Sequence, residues 1–346
     1  MAPLITIRNQ SYRNSLLKVL DYLSITTGKI LVTGATGLIG SCLVDLFELA
    51  NEQLGCSFDI YALARNHARL KERFINMSGV HIIAQDVCEP ITIDGLDYII
   101  HAASKADPRS YALFPSETIL SNVLGAKNVL EYCKCNKRVR VMLMSTFEVY
   151  GNLNQDEYSE DDYGLINMNQ LRSCYPESKR VAELLFKAFH DEYGVDCVIA
   201  RLSSVYGPTM LDNDSKAHAQ FIRNAMKHEN IVLKSEGSQK RTYCYVMDAV
   251  GGLLSVLLKG KSGETYNIAN SKSIASIAEV ANTIAHLTGN KVVFESPDEI
   301  ERKGFSKPQN SVLSTNKVNE LGWEGRYSLL QGLKETMEII RDMKTF

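Results

Sequence analysis

The sequence predicts an α/β protein in which a doubly wound parallel sheet is followed by a smaller α+β domain. Three observations lead to this prediction. From residue 29 onward, short continuous apolar runs alternate with longer helical patterns, and a glycine-rich turn joins the first strand to the first helix. After about residue 205 the segments become shorter and polar turns more frequent. Continuous apolar strands are typical of a parallel sheet that helices cover on both faces.

The elements of the sheet follow one another along the chain. Strands are predicted at Lys29–Thr33, Phe58–Ala64, His81–Ala84, Asp97–Ala102, Val139–Met144 and Asp196–Leu202. Helices are predicted at Leu38–Ala50, Thr118–Cys133 and about Glu177–Tyr193. In open sheets of this kind, ligands bind at the carboxyl ends of the strands.

The chain divides into three parts. Residues 1–28 are predicted to form an amphipathic helical extension, residues 29–204 the sheet domain, and residues 205–346 the smaller domain, with some exchange of elements between the last two. Within the smaller domain, helices are predicted at Ala217–Met226, Met247–Leu258, Ile277–Leu287 and Leu329–Met343. This domain is expected to cap the ligand-binding edge of the sheet.

Composition argues against several classes of function. The 346 residues include 38 basic and 40 acidic side chains, a balance that predicts neither a nucleic-acid nor a membrane partner. No stretch approaches the roughly 20 apolar residues of a membrane span, and no signal peptide is evident. The eight cysteines are scattered without a CxxC pair, and the seven histidines lack metal-ligand spacing. We therefore expect a cytoplasmic protein without a structural metal.

The first strand runs into the phosphate-loop sequence TGATGLIG at residues 33–40. Glycines at positions 34, 37 and 40 allow a tight turn, close approach of a pyrophosphate, and packing of the helix on the strand. The free N–H groups of the following helix favour an anion. The loop therefore predicts a dinucleotide site formed by Gly34, Thr36, Gly37, Leu38, Ile39 and Gly40.

Residues after the next two strands are expected to contact the adenosine half of the dinucleotide. Arg65 and Asn66 follow the second strand, where an acid selects NAD and an arginine accommodates the 2′-phosphate of NADP. Arg65 therefore favours NADP, although an exposed arginine is also compatible with NAD. Asp86 and Val87 follow the third strand and are candidates for the adenine edge.

Candidate catalytic residues come from a strand and a helix. Tyr175 and Lys179 are spaced so that both lie on one helical face. A phenol with a pKa near ~10 becomes a usable base when a lysine cation and an oxidised nicotinamide favour its ionised form. Thr146 and Glu148 follow the fifth strand, where a hydroxyl can assist the tyrosine and a carboxylate can transfer protons.

Taken together, the motifs resemble the extended short-chain dehydrogenase/reductases that modify nucleotide sugars. The resemblance covers roughly residues 29 to 335. It is carried by TGATGLIG (33–40), Asp86-Val87, His101-Ala102-Ala103, Asn122-Val123 with Gly125, STFEVYG (145–151), YPESK (175–179), RLSSVYGP (201–208), QKRTYCYVMDAV (239–250) and Leu321-Gly322-Trp323.

This resemblance implies a Rossmann-type fold and roles for individual residues. The loop glycines would hold the cofactor diphosphate, Tyr175 would be the catalytic base and acid with Thr146 assisting it, and Lys179 would hold the nicotinamide ribose. Arg241 would grip the substrate diphosphate. Further cofactor contacts are implied for Ala102, Ala103, Ser104 and Asn122, and the family resemblance also implies a homodimer formed through a four-helix contact.

Residues near the tyrosine bear on the reaction. Thr146-Phe147-Glu148 resembles the Thr-Ser-Glu of UDP-glucuronate decarboxylases more than the Thr-Asp-Glu of 4,6-dehydratases, and Phe147 cannot protonate a leaving hydroxyl. The stretch from Ser159 to Tyr175 also looks most like the decarboxylases. Phe147, Ser204 and Thr209 depart from the decarboxylase pattern at substrate-selecting positions.

Three hypotheses follow from these residues. The first is an enzyme that converts a nucleotide-activated sugar through a keto intermediate, by epimerisation or by decarboxylase/dehydratase chemistry. The second is an NADPH-dependent reductase of a nucleotide-linked keto sugar or ketose. The third is a non-catalytic NAD(P)-sensing protein. Phe147, Glu148 and Ser204 join Thr146 and Arg241 as the predicted substrate-binding residues.

Overall fold

The computed structural model describes residues 7–75, 77–153, 155–305 and 310–342. The strands, in chain order, are β1 (Thr27–Thr33), β2 (Ser57–Ala64), β3 (Val80–Ala84), β4 (Tyr98–His101), β5 (Arg140–Thr146), β6 (Asp196–Leu202), β7 (Ser204–Tyr206), β8 (Ile231–Leu233), β9 (Lys240–Tyr245), β10 (Thr265–Ile268), β11 (Ile274–Ser276) and β12 (Val292–Phe294).

The helices are α1 (Gln10–Leu17), α2 (Leu38–Leu54), α3 (His67–Arg73), α4 (Pro108–Leu113), α5 (Pro115–Cys135), α6 (Cys174–Tyr193), α7 (Ala217–Met226), α8 (Val246–Lys259), α9 (Ile277–Thr288), α10 (Glu299–Gly304), α11 (Asn316–Asn319) and α12 (Leu329–Asp342). Short 3-10 turns cover Leu20–Tyr22, Phe147–Tyr150 and Leu171–Ser173. The predicted end of the last helix, Met343, lies outside the described residues.

Seven strands form one parallel sheet in the order β10-β6-β5-β4-β1-β2-β3. The chain leaves β1 towards β2 and β3, then returns to the other side of β1 at β4. This change of direction creates a crevice at the carboxyl end of β1, where dinucleotides bind in such sheets. The predicted doubly wound, Rossmann-type fold is confirmed.

Helices cover both faces of this sheet because successive strand residues point to opposite sides. On β1, Ile30 and Val32 pack in one core with Leu46 of α2. Leu31 belongs to the opposite core, together with Leu130 of α5. All these side chains are fully buried. Both layers together hold the carboxyl edge of the sheet in a fixed position.

Among residues 7–28, helical structure is confined to α1 and the short turn after it, and β1 begins two residues earlier than the sequence predicts. Tyr12 anchors α1 to α2: its hydroxyl donates a hydrogen bond to Asp45 Oδ2 at 2.7 Å, and Arg73 pairs with the same carboxylate. Burial raises the pKa of Asp45, while Arg73 and Tyr12 oppose that rise. The segment is therefore packed on the sheet domain.

Elements after β6 build two small sheets. One has the order β11-β9-β7 and the other pairs β12 with β8. Helices α7 and α9 pack beside them, whereas β10 lies at the edge of the large sheet and α8 packs against α2. These elements surround the carboxyl edge, where the candidate site lies. Among the described residues, no helix has the length and apolarity needed to cross a membrane.

Candidate active site

The phosphate loop has the backbone geometry of an anion cradle. Gly34 adopts a φ of +67°, and a Cβ there would lie 2.8 Å from both Ala102 O and Ala103 N. A Cβ on Gly40 would approach Gly34 O to 2.5 Å. Gly37 is the N-cap residue of α2 and offers no side-chain cap, so the N–H groups of the first helical turn remain available to an anion. Only glycines at 34 and 40 fit this turn, and the loop suits a dinucleotide diphosphate.

The loop after β4 lines the same crevice. Thr33 Oγ1 accepts a hydrogen bond from Ala103 N–H at 3.1 Å and lies 2.9 Å from His101 Nδ1. Burial, and secondarily the charge of Lys179, lower the pKa of His101 to about 3, so its ring is neutral. Ser104 Oγ is buried and finds no partner among the described residues. An unpaired buried hydroxyl next to the phosphate loop fits a polar cofactor.

Asn122 connects α5 to the helix that carries Tyr175. Its amide donates to Ser178 Oγ at 2.9 Å, and Ser178 donates to the Tyr175 carbonyl at 2.9 Å. Asn122 Oδ1 is buried and finds no partner within the described part of the chain. Asn122 is therefore placed to orient α6 and retains one acceptor for a ligand.

The residues predicted for the adenosine end lie together beyond β2 and β3. Arg65 Nη1 lies 2.7 Å from Glu117 Oε1 and 3.9 Å from Asp86 Oδ2. Asn66 caps α3 by accepting a hydrogen bond from Arg69 N–H at 2.9 Å, and Val87 is buried. Arg65 is therefore ion-paired with Glu117, a carboxylate that sequence reasoning missed.

The predicted catalytic hydroxyl, phenol and ammonium groups meet where β5 ends and α6 begins. Thr146 is the last residue of β5, and Tyr175 and Lys179 lie in the first turns of α6. All three are buried. Lys179 Nζ donates to the Met144 carbonyl at 2.9 Å, which ties α6 to β5. The parallel sheet and the helix spacing bring these side chains to the edge beside the phosphate loop.

Burial and the nearby charge of Glu148 raise the pKa of Tyr175, whereas hydrogen bonding by Thr146 and Tyr111 and the charge of Arg172 oppose the rise. Burial lowers the pKa of Lys179 to about 8 despite the opposing charge of Glu183. The protein alone thus keeps Tyr175 protonated at neutral pH. Another positive charge next to the phenol is needed to make it a base.

Glu148 forms an ion pair with Arg172 at 2.5 Å, and both side chains are largely buried. Although burial alone would lower the pKa of Arg172, Glu148 raises it above its usual value. The guanidinium also lies over the Tyr111 ring, 5.1 Å from its centroid, and Tyr111 stacks on Tyr175 at 4.5 Å and 15°. The Glu148 carboxylate, the Arg172 guanidinium, the Tyr111 ring and the Tyr175 phenol therefore lie in one continuous series of contacts.

Tyr111 and Arg172 were missed as site residues by sequence reasoning. Arg172 stands three residues before Tyr175, so proximity to the YxxxK pair was an available signal. Tyr111 lies on the short helix α4 and has no comparable signal. Sequence reasoning also missed Glu183, which lies one turn after Lys179 on α6 and accepts hydrogen bonds from Ser145 and Arg201.

Two of the predicted substrate residues, Ser204 and Arg241, come from the small sheet of β7, β9 and β11. Arg241 is on β9, with its guanidinium 5.8 Å from the centroid of the Phe147 ring. Ser204 is buried at the start of β7, which pairs with β9. Arg241 Nε and His218 Nε2 are buried without partners among the described residues. The unpaired Arg241 Nε–H is a buried donor that suits a polar, anionic substrate.

The sheet with its phosphate loop, together with the hydroxyl, phenol and lysine at its edge, defines a short-chain dehydrogenase/reductase. Residues 30–269 match the model of the NAD dependent epimerase/dehydratase family. The chain belongs to this family and is an NAD(P)-dependent enzyme of the nucleotide-sugar epimerase/dehydratase type, as its motifs predict.

Similar proteins include several sugar-nucleotide enzymes. UDP-glucuronic acid decarboxylase 3 of Arabidopsis thaliana is 34% identical over 311 residues, covering 88% of this chain and 86% of the relative. UDP-glucuronic acid decarboxylase 1 of Xenopus tropicalis is 31% identical over 317 residues, with 90% and 72% covered. A dTDP-glucose 4,6-dehydratase from Streptomyces venezuelae, solved with NAD, superposes with a TM-score of 0.78 at 25% identity, covering 91% of this chain and 97% of that one.

Proposed function

We propose that the chain oxidises a nucleotide-linked hexuronic acid, such as a UDP-linked one, to a keto sugar, decarboxylates or epimerises it, and reduces the keto group again. The observation that supports this most is the Glu148–Arg172 ion pair beside the Tyr175 phenol. Phe147 stands where dehydration would need an acid. The identity to UDP-glucuronic acid decarboxylases supports the same class of substrate.

Proton transfer is assigned to Tyr175. As phenolate it would accept the proton of the sugar hydroxyl, and Thr146 would hydrogen-bond the same oxygen. A bound NAD(P) would supply the hydride acceptor, the positive charge that favours the phenolate and, in its reduced form, the hydride that turns the keto group back into an alcohol. A keto group two bonds from a carboxylate makes loss of CO2 easy, because the electrons of the broken C–C bond become an enolate. The Tyr175 and Thr146 hydroxyl groups would donate to that enolate oxygen.

The remaining predicted residues would bind the two ligands. The phosphate loop would hold the cofactor diphosphate, and Lys179 would hold the nicotinamide ribose. Arg241 would bind the substrate diphosphate, since a guanidinium suits phosphate oxygens. In this proposal, residues 29–204 bind mainly the cofactor and residues 205–346 mainly the substrate; β10 within the large sheet supports exchange between the two parts.

Product analysis tests the proposal. The purified chain would be incubated with UDP-glucuronic acid, UDP-glucose and dTDP-glucose while nucleotide-sugar products, CO2 and nicotinamide absorbance are followed. We expect conversion of the uronic acid without a lasting change in absorbance. CO2 release identifies decarboxylation, and its absence with a new isomer identifies epimerisation. Stoichiometric consumption of added NADPH would replace the proposal with the reductase hypothesis, and conversion of neutral sugars alone would exclude the uronic acid.

We further propose a homodimer formed through α5 and α6. These neighbouring helices expose apolar side chains, among them Leu120 (53% exposed) on α5 and Leu184 (67%) on α6. Apolar patches of this kind are typical of interfaces. Light scattering should give a molar mass twice that of the chain. In the Leu184→Glu variant the molar mass should fall to that of a single chain. A cytoplasmic location is also proposed, and the eight free cysteines support it.

A further inference from the structure

Four charged side chains form a cluster at the outer end of the cofactor crevice. Glu117, in the first turn of α5, lies 2.7 Å from Arg65 Nη1 and 2.6 Å from Lys105 Nζ. Asp86 is 3.9 Å from Arg65. We call Arg65, Asp86, Lys105 and Glu117 the ribose-end cluster. One carboxylate thus holds both cations of the cluster.

The position of the cluster follows from the sheet. Arg65 comes directly after β2, Asp86 after β3, and Lys105 from the loop after β4. Because β1 lies between β4 and β2, the cluster reaches across the end of β1, in front of the phosphate loop. In dinucleotide-binding sheets, the end of the second strand is next to the adenosine ribose. The cluster would therefore face the ribose hydroxyl that carries the extra phosphate in NADP.

The charges of the cluster cancel. Hydrogen bonds from Lys105 and Arg65 lower the pKa of Glu117, so it is ionised at neutral pH. Two cations then face two carboxylates. A ribose hydroxyl brings no charge into this neutral site, whereas a phosphate monoester brings about −1.5 to −2. The 2′-phosphate would compete with Glu117 for the same guanidinium and ammonium groups.

We propose that Glu117 makes the enzyme prefer NAD over NADP by occupying the Arg65 and Lys105 cations that a 2′-phosphate would need. Glu117 thereby performs from α5 the selection that an acid at the end of β2 performs in other NAD-binding sheets. This inference rests on the proposed dinucleotide site and assigns its selectivity. It also explains why Arg65, read without its partner, favours the other cofactor.

Calorimetric binding of NAD and of NADP tests the assignment on the full chain after exchange of any retained nucleotide. We expect the wild type to bind NAD at least about tenfold more tightly than NADP. Glu117→Gln should lower the ratio of the NADP to the NAD dissociation constant about tenfold, through tighter NADP binding. Adding Arg65→Gln to that variant should remove the gain. The shift should shrink at high salt because the side chains of Arg65, Asp86 and Glu117 are exposed.

Glu131→Gln is the matched control. It lies on the same helix, pairs with Lys127 and Lys134 at 3.8 Å each, and changes the charge equally. At 1.5 Å per residue it lies about 21 Å from Glu117, so the ratio should not move. A wild type that prefers NADP, or an unchanged ratio in Glu117→Gln, would overturn the inference alone. Binding of neither dinucleotide would overturn the proposed function as well.

Discussion

Two carboxylate–guanidinium pairs at the same edge of the sheet differ mainly in exposure. Glu148 and Arg172 are 2.5 Å apart, with side chains 21% and 11% exposed. Glu117 and Arg65 are 2.7 Å apart, with side chains 44% and 55% exposed. We call Glu148–Arg172 the inner pair and Glu117–Arg65 the outer pair. Their distances are similar, but their contributions to stability differ, because solvent screens the charges of the outer pair and the inner pair has lost most of its water.

The difference separates two tasks. The inner pair lies beside Tyr175, where its charges act on the pKa of the phenol. Removing one partner leaves the other as a buried, unpaired charge. The outer pair can exchange one partner for a ligand at little cost. We therefore expect inner substitutions to affect turnover and stability, and outer ones to affect only the choice of ligand.

The largest effect is expected for Tyr175→Phe in the inner region. Removing the phenol hydroxyl removes the proton acceptor, and general acid–base catalysis contributes about 10²–10⁴ in rate. Turnover of the nucleotide sugar should fall by about 10³, while calorimetry shows unchanged cofactor binding. Tyr206→Phe is the control, since Tyr206 is equally buried but its hydroxyl meets the Leu329 carbonyl at 3.4 Å. Normal turnover in Tyr175→Phe would refute the assigned mechanism.

Next in size is Arg172→Met, which leaves the Glu148 carboxylate unpaired. We expect the free energy of unfolding, measured with urea, to fall by about 3 kcal/mol, as for other pairs that lose one buried partner. Adding Glu148→Gln should restore much of the loss because no lone charge remains. If the single variant were as stable as the wild type, the inner pair would behave like a surface pair and the comparison would fail.

Local patterns account for what could be predicted of the fold. The predicted bounds of strand Asp196–Leu202 and helix Ala217–Met226 agree with the structure at both ends. An apolar run and a helical period depend only on residues close together in the sequence, so both could be recognised there. Strand β10 could not be placed in the large sheet, because the pairing of its four residues with β6 is non-local.

The same distinction holds at the site. The loop glycines and the spacing of Tyr175 and Lys179 are local sequence patterns, so the sequence alone predicts them as candidate site residues. The stacking of Tyr111 on Tyr175 and the contact of Arg65 with Glu117, 52 residues away, exist only after folding. Arg65 was therefore interpreted without the carboxylate that neutralises it. Electrostatics between distant segments is the part that sequence patterns do not contain.

A smaller effect concerns the pH dependence of stability. Burial lowers the pKa of Lys179 to about 8, against ~10.4 in an unfolded chain. Between these values the unfolded state binds more protons, so this group makes stability rise with pH. From pH 8 to 10 the cofactor-free wild type should gain about 2 kcal/mol relative to Lys179→Met in urea unfolding. Parallel curves for the two proteins would show that Lys179 keeps its ordinary pKa.

The smallest effect is expected where the outer pair is broken. Glu117→Gln should change the free energy of unfolding by less than about 0.5 kcal/mol, because exposed ion pairs contribute little and Arg65 becomes hydrated when released. Urea unfolding beside Arg172→Met checks this directly. A loss as large as that of the inner variant would make Glu117 a structural residue, and a changed cofactor preference would then reflect a disturbed crevice. A stable variant with altered preference would assign selection to the exposed pair and stability to the buried one.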